Sequence, residues 1–152
     1  MESNNKKPPF PQANDLEKII KIINVPDTDI ILNDDRLGEY LDGITSRQAR
    51  YYIAAAKFLS ILDINKHFSE EGEKLRGMNE YMQRVELVRI VLANTVFGTV
   101  FLSEKILGIT LSRQDIAEII EKEYPEYCEA IYLRRAQTVI SWVNWINEQF
   151  VH

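Results

Sequence analysis

The chain has 152 residues, 45% of them hydrophobic, which suffices for one ordinary domain or two small units sharing a core. A formal charge of −5 and a pI near 5.1 argue against a nucleic-acid binder that relies on overall charge, although a groove meets local charge and a specific binder stays open. The single cysteine, Cys128, excludes an internal disulfide and a cysteine-based metal site, and is expected as a small core residue.

Residues 1–13, MESNNKKPPFPQA, are polar and Pro-rich and are expected as a disordered tail, with Lys6 and Lys7 as a short basic arm. Residues 14–23 predict a short helix capped by Asn14, with Leu16, Ile19, Ile20 and Ile23 as its apolar stripe. Pro26 breaks it, and a short strand is expected at residues 29–32. Residues 34–41 predict a second helix with acids in its first turn, where the helix dipole favours them. The turn Asp42-Gly43-Ile44-Thr45 leads into a long helix. Thr45 and Gln48 have capping-box spacing, and Ala49, Tyr52, Ile53, Ala56 and Leu59 make one apolar face. Helix, Gly-containing turn and polar-faced helix form the helix-turn-helix signature.

Residues 62–69, LDINKHFS, are expected as a small β-wing with Asn65 and Lys66 at its tip, and Ser69 as the cap of a helix ending at Gly77. Residues 78–94 predict a helix with Tyr81, Val85, Val88 and Leu92 on its core face. Residues 95–107 are apolar nearly all round and are expected as a buried element shared by two units. Ser112, with Asp115, caps the next helix, and residues 131–148 predict a second long one. The fold expected is therefore mainly α: a tail (1–13), a first winged helix-turn-helix unit (14–77) and a second, winged-helix-like unit (78–152), in tandem around a shared helical core. Little sequence remains for a second wing, so either that wing is vestigial or the chain is the front piece of a longer protein.

The two long helices repeat. Arg47, Ala49, Ile53, Phe58 and Leu59 align without a gap on Arg134, Ala136, Ile140, Trp145 and Ile146, 87 positions on (47 to 134). Residues 44–61 and 130–147 both lack acids in a chain that carries 23. In a helix-turn-helix the second helix enters the major groove and its first residues meet base edges. Ser46, Arg47, Gln48, Arg50 and Tyr51 hold those places in the first copy, and Arg134, Arg135, Gln137 and Thr138 in the second. Arg pairs bidentately with guanine and Gln with adenine. Lys57 is placed for phosphate, and Lys66 and His67 for the backbone from the wing. The plainer reading is a solvated face, since Arg and Gln are good helix formers. Trp142, Trp145 and Tyr132, at helical spacing beside Val139, Val143 and Ile146, are expected in the core. Tyr52 is expected to point in, and Tyr51 to lie at the edge of the polar face.

Enzyme chemistry finds little here. No lysine has an acid two residues before it, as metal-dependent nucleases commonly arrange. Two histidines cannot build a His-based metal site, and no Gly-rich phosphate loop is present. No catalytic residue, metal or cofactor is expected. No apolar run approaches ~18 residues and no signal-type apolar region opens the chain, so a cytoplasmic, membrane-free location is expected.

Three segments, RQARYYIAAAKFL, HFSEEGEKL and IYLRRAQTVISWVNWI, together resemble the tandem winged-helix regions of type II restriction endonucleases and restriction-linked proteins. The resemblance spans roughly residues 34–146. It implies a non-catalytic module that reads double-stranded DNA and works with a separate nuclease domain or subunit. It places the reading helices at Arg47, Gln48, Arg50 and Tyr51, and at Arg134, Arg135, Gln137 and Thr138. The chain departs from the pattern in having no recognisable nuclease site. The alternative is a protein-interaction or dimerisation module, with a second copy as partner.

Overall fold

The structure, a computed structural model, describes residues 8–150, with side chains up to residue 149. The chain is mainly helical, with no strand among the described residues. Eight α-helices follow in order: α1 (Leu16–Ile23), α2 (Asp34–Tyr40), α3 (Ser46–Phe58), α4 (Glu70–Arg76), α5 (Glu80–Ala93), α6 (Thr95–Phe101), α7 (Arg113–Glu123) and α8 (Glu129–Phe150). A π-helical turn, Leu102–Ile106, continues α6. The helix α2 packs on α3, and α7 on α8.

Short polar side chains start most of these helices by accepting a first-turn N–H that has no helical partner. Thr45 with Gln48, and Ser112 with Asp115, close both expected capping boxes. Ser69 caps α4 as expected. The α1 cap is Asp15 and not Asn14, because the Asn14 side chain instead accepts the Thr138 hydroxyl at 2.6 Å.

The turn between α2 and α3 is set by backbone geometry. Asp42 and Gly43 both take left-handed φ, and the Gly38 carbonyl accepts from the N–H of Gly43 and of Ile44. A Cβ at Gly38 would lie 2.4 Å from the Ile44 carbonyl oxygen, so only glycine lets α2 lie against this turn.

Several expectations are corrected. Residues 29–32 form no strand; Thr28–Ile30 is a 3-10 turn, capped by Asp27 and propagated by i to i−3 bonds through Asn33. The expected β-wing is a loop closed by one antiparallel bridge between Leu62 and Phe68. The Asp63 carboxylate takes the N–H groups of Asn65 and His67, and Lys66 turns the chain at φ 65°, so no ladder extends beyond that bridge. On α5 the buried face is Gln83, Leu87 and Val91; Tyr81 is exposed. Gln83 goes inside because its amide is bonded on both ends, exchanging hydrogen bonds with Asn24 and donating to the Leu75 carbonyl. Val96, Phe97 and Val100 of α6 are buried, but Leu102, Ile106 and Leu107 on the π-helical turn and just after it are exposed. Cys128 is exposed, since it falls in the turn before α8.

The largest correction concerns the tail. Residues 1–7, with Lys6 and Lys7, lie outside the described residues, but Phe10 is only 1% exposed. It stacks on Phe97 at 5.3 Å between centroids and meets Phe58 and Tyr124 edge-on. Pro11 and Ala13 are buried with it. Beyond Phe97, the Trp142 ring stacks at 4.8 Å, and its indole N–H donates to the Ala13 carbonyl at 2.7 Å. Trp142, Trp145 and Tyr132 are core residues, and Tyr52 points in, as expected.

Phe10→Ala is expected to destabilise the protein by about 3–5 kcal/mol, read by urea denaturation, because the aromatic cluster is left with a cavity. A second expectation concerns pH. Arg84 donates to the Glu17 carboxylate at 2.7 and 3.0 Å, and Trp145 donates at 3.1 Å. These bonds, Arg84 foremost, hold the Glu17 carboxyl below its ordinary value of 4.5. Their stabilisation is complete above that value and fades as pH falls through the lower folded-state value. Glu17→Gln is therefore expected to flatten the acid limb of a stability–pH curve.

Candidate nucleic-acid interface

The polar residues of α3 divide between two grooves. On one side, Arg47, Gln48 and Tyr51 of α3 face Arg134 and Gln137 of α8 across a groove of about 720 Å³. Lys18 of α1, Arg113 of α7 and the segment Gln12, Ala13 and Asn14 complete its walls, and no carboxylate lines it. On the other side, Arg50, Lys57 and Lys66 line a groove of about 680 Å³ together with Pro8, Pro9, Ile53, Ala54, Leu62 and Ile64.

The first groove joins the two copies of the sequence repeat. Arg47 and Arg134 occupy equivalent repeat positions, both are exposed, and neither forms an ion pair with a described residue. Arg47 is steadied within its own helix: Nε donates to the Tyr51 hydroxyl at 3.2 Å, and the guanidinium lies 5.9 Å from the Tyr51 ring centre. Gln48 accepts from the Thr45 N–H at 3.1 Å and is committed to the cap. Gln137 accepts from Arg113 at 3.1 Å and donates to Ser141 at 3.4 Å. Ser46 donates to Asp35.

The second groove is partly neutralised. Arg50 and Lys66 share the Asp34 carboxylate at 3.3 and 3.7 Å. Lys57 is half-buried and His67 is exposed on the loop beside Asp63.

Two expected residues are not available to a ligand. Arg135 is 7% exposed, with its guanidinium 3.8 Å from the centre of the Tyr127 ring. Thr138 is fully buried against Asn14. Both lie on the side of α8 covered by the N-terminal segment, whose Phe10 N–H donates to Tyr127 and whose Ala13 carbonyl accepts from Trp142. The repeat is also offset along its helices: Arg47 is the second residue of α3, but Arg134 is the sixth of α8.

Two groove residues, Lys18 and Arg113, escaped the sequence reading. Arg113 carried a signal. It is the first residue of α7, where the dipole favours an acid and disfavours a cation, so its presence conflicts locally with the helix it opens. Lys18 is tied to Asp15 and Asp42 at 3.0 and 3.5 Å, so its charge is already paired. Among the described residues no group of three acid, histidine or cysteine side chains is placed to hold a metal ion. No single described helix is long and apolar enough to cross a membrane.

The buried Arg135 leaves Nε and Nη1 without hydrogen-bond partners. Its stacking on Tyr127 returns part of the desolvation penalty, which an apolar side chain of similar length avoids. Arg135→Met is expected to leave stability within about 1 kcal/mol of wild type or to raise it, by urea titration, and a loss above about 2 kcal/mol would show a partner that the geometry lacks.

No curated protein and no solved structure matches the chain. A family model, described as a domain of unknown function (DUF7226), matches residues 18–151, and the chain belongs to that family.

Proposed function

We propose that the chain is a non-catalytic module that binds double-stranded DNA, for sequence recognition in a restriction or transcription-regulatory system. The observation that carries this reading is the groove where Arg47 and Arg134, equivalent residues of the repeat, meet Arg113 with no carboxylate in the lining. In an acidic chain, an acid-free cationic groove is a local exception, and local charge is what a polyanion meets.

The architecture in this reading is a tandem pair of helix-turn-helix units, α2–α3 and α7–α8, without a β-wing. From α3, Arg47 meets the DNA in the groove shared with α8, and Arg50 and Lys57 meet it from the other side of the helix, with Lys66 of the following loop; Ser46 and Gln48 are held by Asp35 and by the cap. From α8, Arg134 and Gln137 contribute; Arg135 and Thr138 are left out, being buried. Cleavage in such a system belongs to a nuclease domain or subunit working with this module, as the resemblance to restriction endonucleases implies.

A second reading, a protein-interaction or dimerisation module, is favoured by one feature. Leu102, Ile106, Leu107 and Ile109 are each 49–69% exposed around the π-helical turn after α6. Clustered exposed apolar residues of this kind mark contact surfaces.

The two readings separate in a fluorescence-anisotropy titration with random-sequence duplex at about 50 and 200 mM salt. The DNA reading expects salt-sensitive binding that Arg47→Ala/Arg50→Ala loses. No binding at the lower salt, together with a stable oligomer in solution, would favour the second reading.

A further inference from the structure

We infer that the groove between α3 and α8 holds the phosphate backbone of one DNA strand, with Arg47, Arg113 and Arg134 as its clamp, and does not read base edges. The inference rests on the DNA reading above and assigns the chemistry of that site.

The two amides that would read adenine are already engaged. Reading adenine requires an amide free at both ends. The Gln48 carbonyl oxygen is held by the α3 cap, and Gln137 is bonded at both ends, by Arg113 and to Ser141. What remains toward the groove is the guanidinium N–H of Arg47, Arg113 and Arg134 and the Gln48 amide N–H, all donors. A phosphate asks only for that, at a place fixed along the backbone.

The cations are also held as positioning groups. Tyr51 takes the Nε of Arg47, which leaves its terminal nitrogens, and Gln137 takes one N–H of Arg113. They stand on α3, α7 and α8, so a ligand must run along the groove to meet all three. The contrast across α3 points the same way. Arg50 and Lys66 are already neutralised by Asp34, whereas Arg47 and Arg134 have no carboxylate partner among the described residues. Both units thus grip one strand and act as a single clamp.

The test is a salt series on a panel of duplexes of different sequence, with wild type, Arg47→Ala, Arg134→Ala, Arg47→Lys, Arg134→Lys and, as a control on α5, Arg89→Ala. A clamp predicts that each Ala variant weakens every duplex by the same factor, about fivefold at low salt, and that the log–log salt slope falls by about 0.9. It predicts that the Lys variants recover most of the affinity, since a point charge serves a phosphate, and that Arg89→Ala matches wild type. If the Ala variants reorder preference among duplexes and Lys fails to rescue, the groove reads bases; the clamp is overturned and the DNA reading stands. Ala variants that bind like wild type also overturn the clamp alone. Wild type that binds no duplex at low salt overturns the DNA reading and the clamp together.

Discussion

The contact on which the rest of the structure depends is the stack of Trp142 on Phe97 on Phe10, locked by the indole hydrogen bond to the Ala13 carbonyl. It joins three pieces far apart in the chain: the N-terminal segment, α6 and α8. Phe58 at the end of α3 and Tyr124 at the end of α7 close on the same ring of Phe10. Offset and edge-on aromatic contacts are directional, so this cluster sets orientation as well as burial. The helix pairs α2–α3 and α7–α8 therefore cannot rotate independently about a linker. The start of α3 faces the second turn of α8 and the residues just after it, which is why residues from both line one groove.

The same packing decides which cations are usable. Asn14 of the N-terminal segment covers Thr138, and the ring of Tyr127, whose hydroxyl accepts from the Phe10 N–H, covers Arg135, so that side of α8 is sealed. The side carrying Arg134 and Gln137 stays open. The surviving cations are then sorted by the carboxylates near them. Asp34 reaches across from α2 to Arg50 and Lys66, whereas the groove between α3 and α8 has no acid in its walls. The net charge of the chain thus says little about the charge a ligand meets at that groove.

The local elements were largely legible in the residues. Both capping boxes, the Ser69 cap, the glycine-containing turn before α3 and the inward-facing Tyr52, Tyr132, Trp142 and Trp145 followed from spacing and residue type. The misreadings have two causes. In several, a local pattern was overridden by a partner distant in sequence; at residues 29–32 and in the expected wing it was overridden by the local Asp27 and Asp63 turns. Asn14 was drawn from its cap to Thr138, 124 positions away. Gln83 turned inward because Asn24 and Leu75 satisfy its amide. A Pro-rich stretch looked like a tail because its one large apolar residue, Phe10, has no periodicity to announce it.

By itself the sequence determined where helices begin, the repeat that makes α3 and α8 equivalent, and the acid-free character of their outer faces. These depend on neighbours within four residues, on alignment and on composition. Only the tertiary structure decided that Arg47 and Arg134 share one groove, that Arg113 joins them, and that Arg135 and Thr138 do not. The physical reason is that a helix carries its polar residues all round its polar arc, and what covers part of that arc is set by packing. Here part of the cover comes from a segment more than a hundred residues away, held by an aromatic stack that no local pattern encodes.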